Sequence, residues 1–200
     1  MTRKETSTMD LHATRDHCRD LLTRIHANGN RRDYPALLAA ETKQRLHTAY
    51  ASSDSGEPLP GAEAMKLGIA LHVPELRDCA IADITPGNAV DRMTRWTNIA
   101  LRVHPVFVAP AATVAAYAAS LAGQRGATLA ALEVALTFQP DYQAAQLLLR
   151  LAGRDEPAPR MDDFAEQLHA KQPTADWLQP LAARLQLFCQ LDWQARTQAN

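Results

Sequence analysis

GQRGATLAALEVALTFQPDY, residues 123–142, is the stretch on which the fold turns. Gly123 and Gly126 mark a tight turn, Pro140 is a helix stop, and between them apolar residues recur at the three-to-four spacing of a helix. Ala130, Leu132 and Ala135 keep that helix slim enough for a neighbour to approach closely. An alanine-rich helix over residues 111–122 precedes the turn, and Tyr142 starts a third helical pattern that runs to Ala152. The stretch is therefore the second arm of a helix hairpin, with a third helix packing back on the pair.

The rest of the chain reads in the same way. Leu11, Cys18, Leu22 and Ile25 predict a helix from Met9 to Ala27, ended by Asn28-Gly29. A second starts after Asp33, with Pro35 in its first turn, and carries Leu37, Leu38, Leu46 and Tyr50 inward. SSDSGEPLPG, residues 52–61, is an exposed loop that sets off this N-terminal hairpin, 9–50, from the core, 62–152. Two short helices, 62–72 and 74–84, lead to one over 89–104 whose inward face is Val90, Met93, Trp96 or Thr97, Ala100 and Val103. Pro105 and Pro110 bracket a connector, and VHPVFV, the one β-branched cluster, is too crowded by prolines for a strand. A polar linker, GRDEPAPRM at 153–161, closes a domain over 9–157 and precedes C-terminal helices over 161–196. The last of these, 174–196, bears Trp177, Leu178, Leu181, Leu185, Phe188 and Leu191 as one apolar stripe, to be docked in cis or in trans. The fold class is all-α, built from antiparallel helical hairpins.

Two hundred residues can bury a core without staples, and a formal net charge of -1, with 22% charged and 46% hydrophobic residues, gives no global pull toward nucleic acid or anionic membranes. Cys18, Cys79 and Cys189 are far apart in helical patterns, as expected of reduced core thiols. MTRKETSTMDLH lacks the apolar run of a signal peptide, and no run of about 18 apolar residues occurs, so a cytoplasmic protein with no membrane partner is expected.

The stretch at 111–152 resembles a tetratricopeptide stack: with Pro140 at the terminal proline of such a unit, Gly123 falls at its turn and Ala135 at its late small position. Ala112, Ala115 and Ala119 replace the Trp, Leu and Tyr of that consensus, and no second copy occurs at a period of about 34 residues. A more specific resemblance runs through Arg77-Asp78, Trp96, Pro105, Pro110, Gly123, Gly126, Ala135, Pro140 and Tyr142. In this order they resemble the C-terminal half of the actinobacterial domain-of-unknown-function family numbered 4192, over about residues 60–157. Gln139 replaces the family's acidic residue before the proline, and residues 161–200 lie outside the resemblance. The resemblance implies a helical fold and no particular reaction.

Candidate sites are few. Arg77 and Asp78 open a helix, where they serve as a cap or ion pair, or as a fork for a carboxylate or phosphate with Trp96 as its wall. His12, Asp16 and Asp20 share a helix face, but the intervening Arg15 and Arg19 favour charge pairing over a metal. No HExxH or Cys-x-x-Cys occurs, and Gly123-x-x-Gly126 lacks the strand and the Lys-Ser/Thr of a phosphate loop, so neither metal nor cofactor is expected. Arg24, Arg31 and Arg32, with Arg92, Arg95 and Arg102, are the candidate phosphate contacts for a nucleic-acid-associated protein. The leading expectation is a non-enzymatic interaction module that takes a protein partner, or forms a homodimer through Trp177, Leu181, Leu185 and Phe188. Nucleic-acid association and a ligand pocket around Arg77 and Trp96 are the alternatives.

Overall fold

The computed structural model describes residues 3–52, 59–153, 164 and 177–197. Among these the chain forms nine α-helices and one 3-10 turn, and no strand. In order they are α1 (Arg3–Asn28), α2 (Tyr34–Ser52), α3 (Gly61–Ala70), α4 (Pro74–Ala82), α5 (Ala89–Ala100), the 3-10 turn (Pro105–Phe107), α6 (Val108–Leu121), α7 (Arg125–Phe138), α8 (Gln143–Ala152) and α9 (Leu178–Thr197).

The alanine-rich helix is the hub. Every residue of α6 from Val108 to Ala119 is buried, as a helix apolar on all sides must be. Around it pack α5 and α7 most extensively, and α3, α4, α8 and the 3-10 turn as well. Small side chains on α6 make this crowding possible, since five helices could not converge on a row of leucines. Thr113 is the one polar residue on this buried stretch besides Tyr117, and its hydroxyl is satisfied by donating to the Ala109 carbonyl at 2.8 Å.

The hairpin read from the opening stretch is present, with three differences in detail. Pro110 lies inside the first turn of α6, not in a connector, because a first-turn residue needs no amide hydrogen. Gly123 alone makes the turn, at φ +69°, and Gly126 is a helical residue of α7. Tyr142 stands just outside α8 as its N-cap. In α5 the buried face is Ala89, Trp96 and Ile99, while Val90 is 54% exposed; the expected register was off by one residue at its start. Of Leu37 and Leu38, both expected inward, Leu38 is buried at 4% exposure whereas Leu37 is 54% exposed. Leu11, Leu46 and Tyr50 fall outside the described side chains, as does the short helix expected after Met161 except for Phe164, which packs on Tyr117 at 5.8 Å between ring centroids.

A single core cluster runs from Cys18 in α1 through α6 to Phe188 in α9, so the N-terminal hairpin, the middle helices and the C-terminal helix share one interior. The stripe on α9 docks within its own chain: Trp177, Leu181, Leu185 and Phe188 are 8%, 1%, 0% and 1% exposed. It seats on α1 and the 3-10 turn, where the Phe188 ring meets Phe107 at 5.7 Å and His104 edge-on at 4.9 Å. These four residues, expected as a homodimer face, are thus enclosed within their own chain. Leu191 of the same expected stripe is 40% exposed and lies on the outer side.

Candidate functional site

Arg77 is where two distant sequence features meet. Val73 caps α4 and Pro74 begins it, which places Arg77 in the first turns with its side chain pointed into the protein. Its guanidinium is 3% exposed as a residue and donates from Nε and Nη2 to the same Asp78 oxygen, at 2.9 and 2.8 Å. Tyr142, the residue that ends the Pro-Asp-Tyr stop, brings its buried phenol beside this fork. Burial presses the Arg77 pKa down, but the Tyr142 and Asp78 oxygens outweigh it, and the net direction is up. The Tyr142 hydroxyl is driven up by burial, against the pull of Arg77. This is a permanently charged guanidinium held in the interior by the carboxylate next to it on the same helix, with the Tyr142 phenol alongside.

Two further groups belong to the cluster. The His72 imidazole, at the end of α3, is pushed down to about 3 by burial and by the Arg184 and Arg77 charges, partly offset by the Phe107 backbone, so it stays neutral at physiological pH. Its ring meets Phe107 edge-on at 5.7 Å. Arg184 of α9 reaches the Val106 carbonyl at 3.5 Å, and burial lowers its pKa against the opposing influence of Asp141 and Tyr142. Neither residue was singled out in the sequence. Arg184 had left a signal, as a cation between Leu181 and Phe188 on an otherwise apolar stripe.

Trp96 is 0% exposed and offers no face to a ligand. His12, Asp16, Asp20, Arg31, Arg32 and Arg102 are exposed, Arg24, Arg92 and Arg95 are half-buried, and several of them are engaged by neighbours. Arg15 hydrogen-bonds His12, and Asp20 lies 3.9 Å from Arg24; among the described residues no group of three His, Cys, Asp or Glu could hold a metal. Arg24 forms a two-pronged ion pair with Glu41 across α1 and α2, Arg31 pairs with Asp33 at 2.9 Å, and Arg92 with Asp83 at 2.7 Å. Arg102 donates to the Leu59 carbonyl at 3.1 Å. The three cysteines form no disulfide, and Cys18 is pushed up to about 12 by burial and by Cys189, which makes it unreactive. No described helix is long and apolar enough to cross a membrane.

Two surface features were not legible in the sequence. One is a cleft between α1, α2, α3 and the Leu181 side of α9, lined by Leu21, Leu38, Leu67, Ala70, Val73 and Leu181 with charged residues at its mouth. The other is the outer face of α7. That helix buries Thr128, Leu132 and Ala135 against its neighbours, yet Leu129, Val134 and Phe138 are 37%, 40% and 49% exposed.

The family described as Domain of unknown function (DUF4192) matches residues 2–157, so the likeness extends over α1 and α2 as well as over the segment from residue 60. No curated protein and no solved structure matches the chain.

Proposed function

From the premise that this chain belongs to the DUF4192 family, we propose that it is a non-enzymatic helical module that binds a partner protein through the outer face of α7. The observation that carries this reading is the second apolar face of that helix. Ala130, Val134 and Phe138 recur every four residues and so lie in one row, and only Arg125 and Glu133 are charged in the whole of α7. Scattered exposed leucines need no explanation, but a row of apolar side chains on the edge helix of a stack does. We read α6, α7 and α8, which pack on one another, as a tetratricopeptide-like unit, and in stacks of that kind an edge that ends the array carries a polar outer face. An apolar edge suits a further helix laid against it, with anchors at the same four-residue spacing.

The test compares the wild-type chain with Val134→Glu/Phe138→Glu. Both are captured at low salt from the native lysate with nuclease present, and recovered proteins are identified by mass spectrometry; sedimentation of the pure chain at high micromolar concentration runs alongside. A stoichiometric protein retained by the wild type and lost from the double variant supports the reading. Self-association abolished by the variant redirects it to a second copy. Equal recovery by both forms overturns it, as does a partner removed by nuclease.

A further inference from the structure

Gly126 is a glycine that its own fold does not require. It lies in the first turn of α7 without a positive φ, and a β-carbon built on it would meet no described atom within 4 Å. Gly123, by contrast, is needed for its φ of +69°, and Gly68 for the close approach of Val103. A glycine inside a helix weakens it, so the gap at Gly126 answers to something outside the chain that comes close to the backbone there. Gly126 is exposed, and it begins the row that continues through Ala130, Val134 and Phe138, all of them exposed as well.

That row is graded in size, and α7 is graded in charge. Side chains grow from the bare backbone of Gly126 through a methyl and an isopropyl group to the benzyl group of Phe138. Arg125 stands at the N-terminal end of the helix, Glu133 in its second half and Asp141 just past its C-terminal end, each exposed, so the charge runs from positive to negative in the same sense as the helix dipole. A surface that fits must be thick where α7 is thin and negative where α7 is positive. α7 itself, turned end for end, is such a surface: its Phe138 comes to Gly126 of the other copy, its Val134 to Ala130, and its acidic end to Arg125. Laid parallel, two copies would set Phe138 on Phe138 and like charges together. Rows of four-residue spacing line up when two helices cross at about −50°, the commonest packing of helices.

Resting on the proposal that this face docks a protein, we infer that its occupant is a second copy of this chain, paired antiparallel through α7 about a two-fold axis, with Phe138 of each copy seated over Gly126 of the other. α7 has 14 residues and is about 21 Å long. One face of that length covers less than the roughly 800 Å² per partner of a standard interface, so the pairing is weak and follows protein concentration.

The test is sedimentation of the full-length protein from low to high micromolar concentration, across which the wild type should pass from monomer to dimer. Gly126→Leu fills the gap without meeting its own chain, so it should melt no lower than the wild type yet weaken dimerisation by about tenfold or more; Phe138→Ala should weaken it by a similar factor. Arg125→Glu and Asp141→Lys each set two like-charged pairs across the two-fold axis and should each weaken dimerisation by about threefold or more, while an equal mixture of the two forms should associate about as well as the wild type. A chain that stays monomeric at high micromolar concentration overturns the pairing. If capture from the lysate then recovers a stoichiometric protein through Val134 and Phe138, the docking face stands with another occupant; if it recovers none, both readings fall. Undiminished dimerisation in folded Gly126→Leu also overturns the pairing, as do charge variants that dimerise like the wild type or fail to recover on mixing.

Discussion

Gly68 sits in the middle of α3, a position where glycine weakens a helix by about 1 kcal/mol relative to alanine, so something must require it. A methyl group built there would lie 2.6 and 2.7 Å from the two γ-carbons of Val103 and 3.3 Å from its β-carbon. Valine is stiff about χ1 and Val103 is buried, so it cannot swing aside; the backbones of α3 and the segment after α5 must separate instead. Overpacking of this kind costs about 1–3 kcal/mol, against a gain in helix propensity of about 1, which leaves Gly68→Ala less stable by up to about 2 kcal/mol. In a chain of this length that lowers Tm by up to about 8 °C. Val103→Ala alone should cost about 2 kcal/mol from two lost methyl groups and the space they leave. In that background the clash is gone, and Gly68→Ala should be neutral or stabilising by up to about 1 kcal/mol. Urea unfolding of the four forms measures the cycle, with an expected coupling of about 2 kcal/mol. Additivity within about 0.5 kcal/mol would refute the close approach of Gly68 to Val103.

The same packing carries three other expected outcomes. Arg77→Met leaves the Asp78 carboxylate without its buried partner and should destabilise by about 3–5 kcal/mol in chemical denaturation, whereas Arg77→Met/Asp78→Leu should recover much of that loss. His72 has a folded pKa depressed from 6.5 to about 3, so its neutral form is the stable one; its contribution is fully present above pH 6.5 and is lost as pH falls toward 3, by up to about 1.4 kcal/mol per pH unit. Comparing stability at pH 7.5 and 5 for wild type and His72→Gln checks this, and an equal slope in both would count against it. Gly123 at the α6–α7 turn and Gly126 inside α7 should respond with opposite signs in thermal melts: Gly123→Ala, at φ +69°, loses about 1 kcal/mol, and Gly126→Ala, helical with open space around it, gains up to about that amount.

By itself the sequence determined the class and most of the element order, because helix-forming information is local: apolar residues three and four apart, Asn28-Gly29, Pro74, Pro105 and Pro140 as punctuation, and an alanine run that only a buried helix explains. The Arg77-Asp78 pair was legible as a feature, and so was Tyr142, but not their meeting, since 65 positions separate Arg77 from Tyr142 and nothing in local periodicity says which helix lies against which. For the same reason the stripe on α9 was readable as a face that must be covered, while its cover, α1 and the 3-10 turn with Phe107, was decided by the tertiary structure. The one-residue errors at Val90 and Leu37 arise where two neighbouring apolar residues compete for one inward position, and only the partner surface settles which enters. Clefts and exposed rows are remainders: they are whatever the packing leaves unfilled between α1, α2 and α3 or uncovered at Val134 and Phe138, and so they exist only once every other helix has found its place.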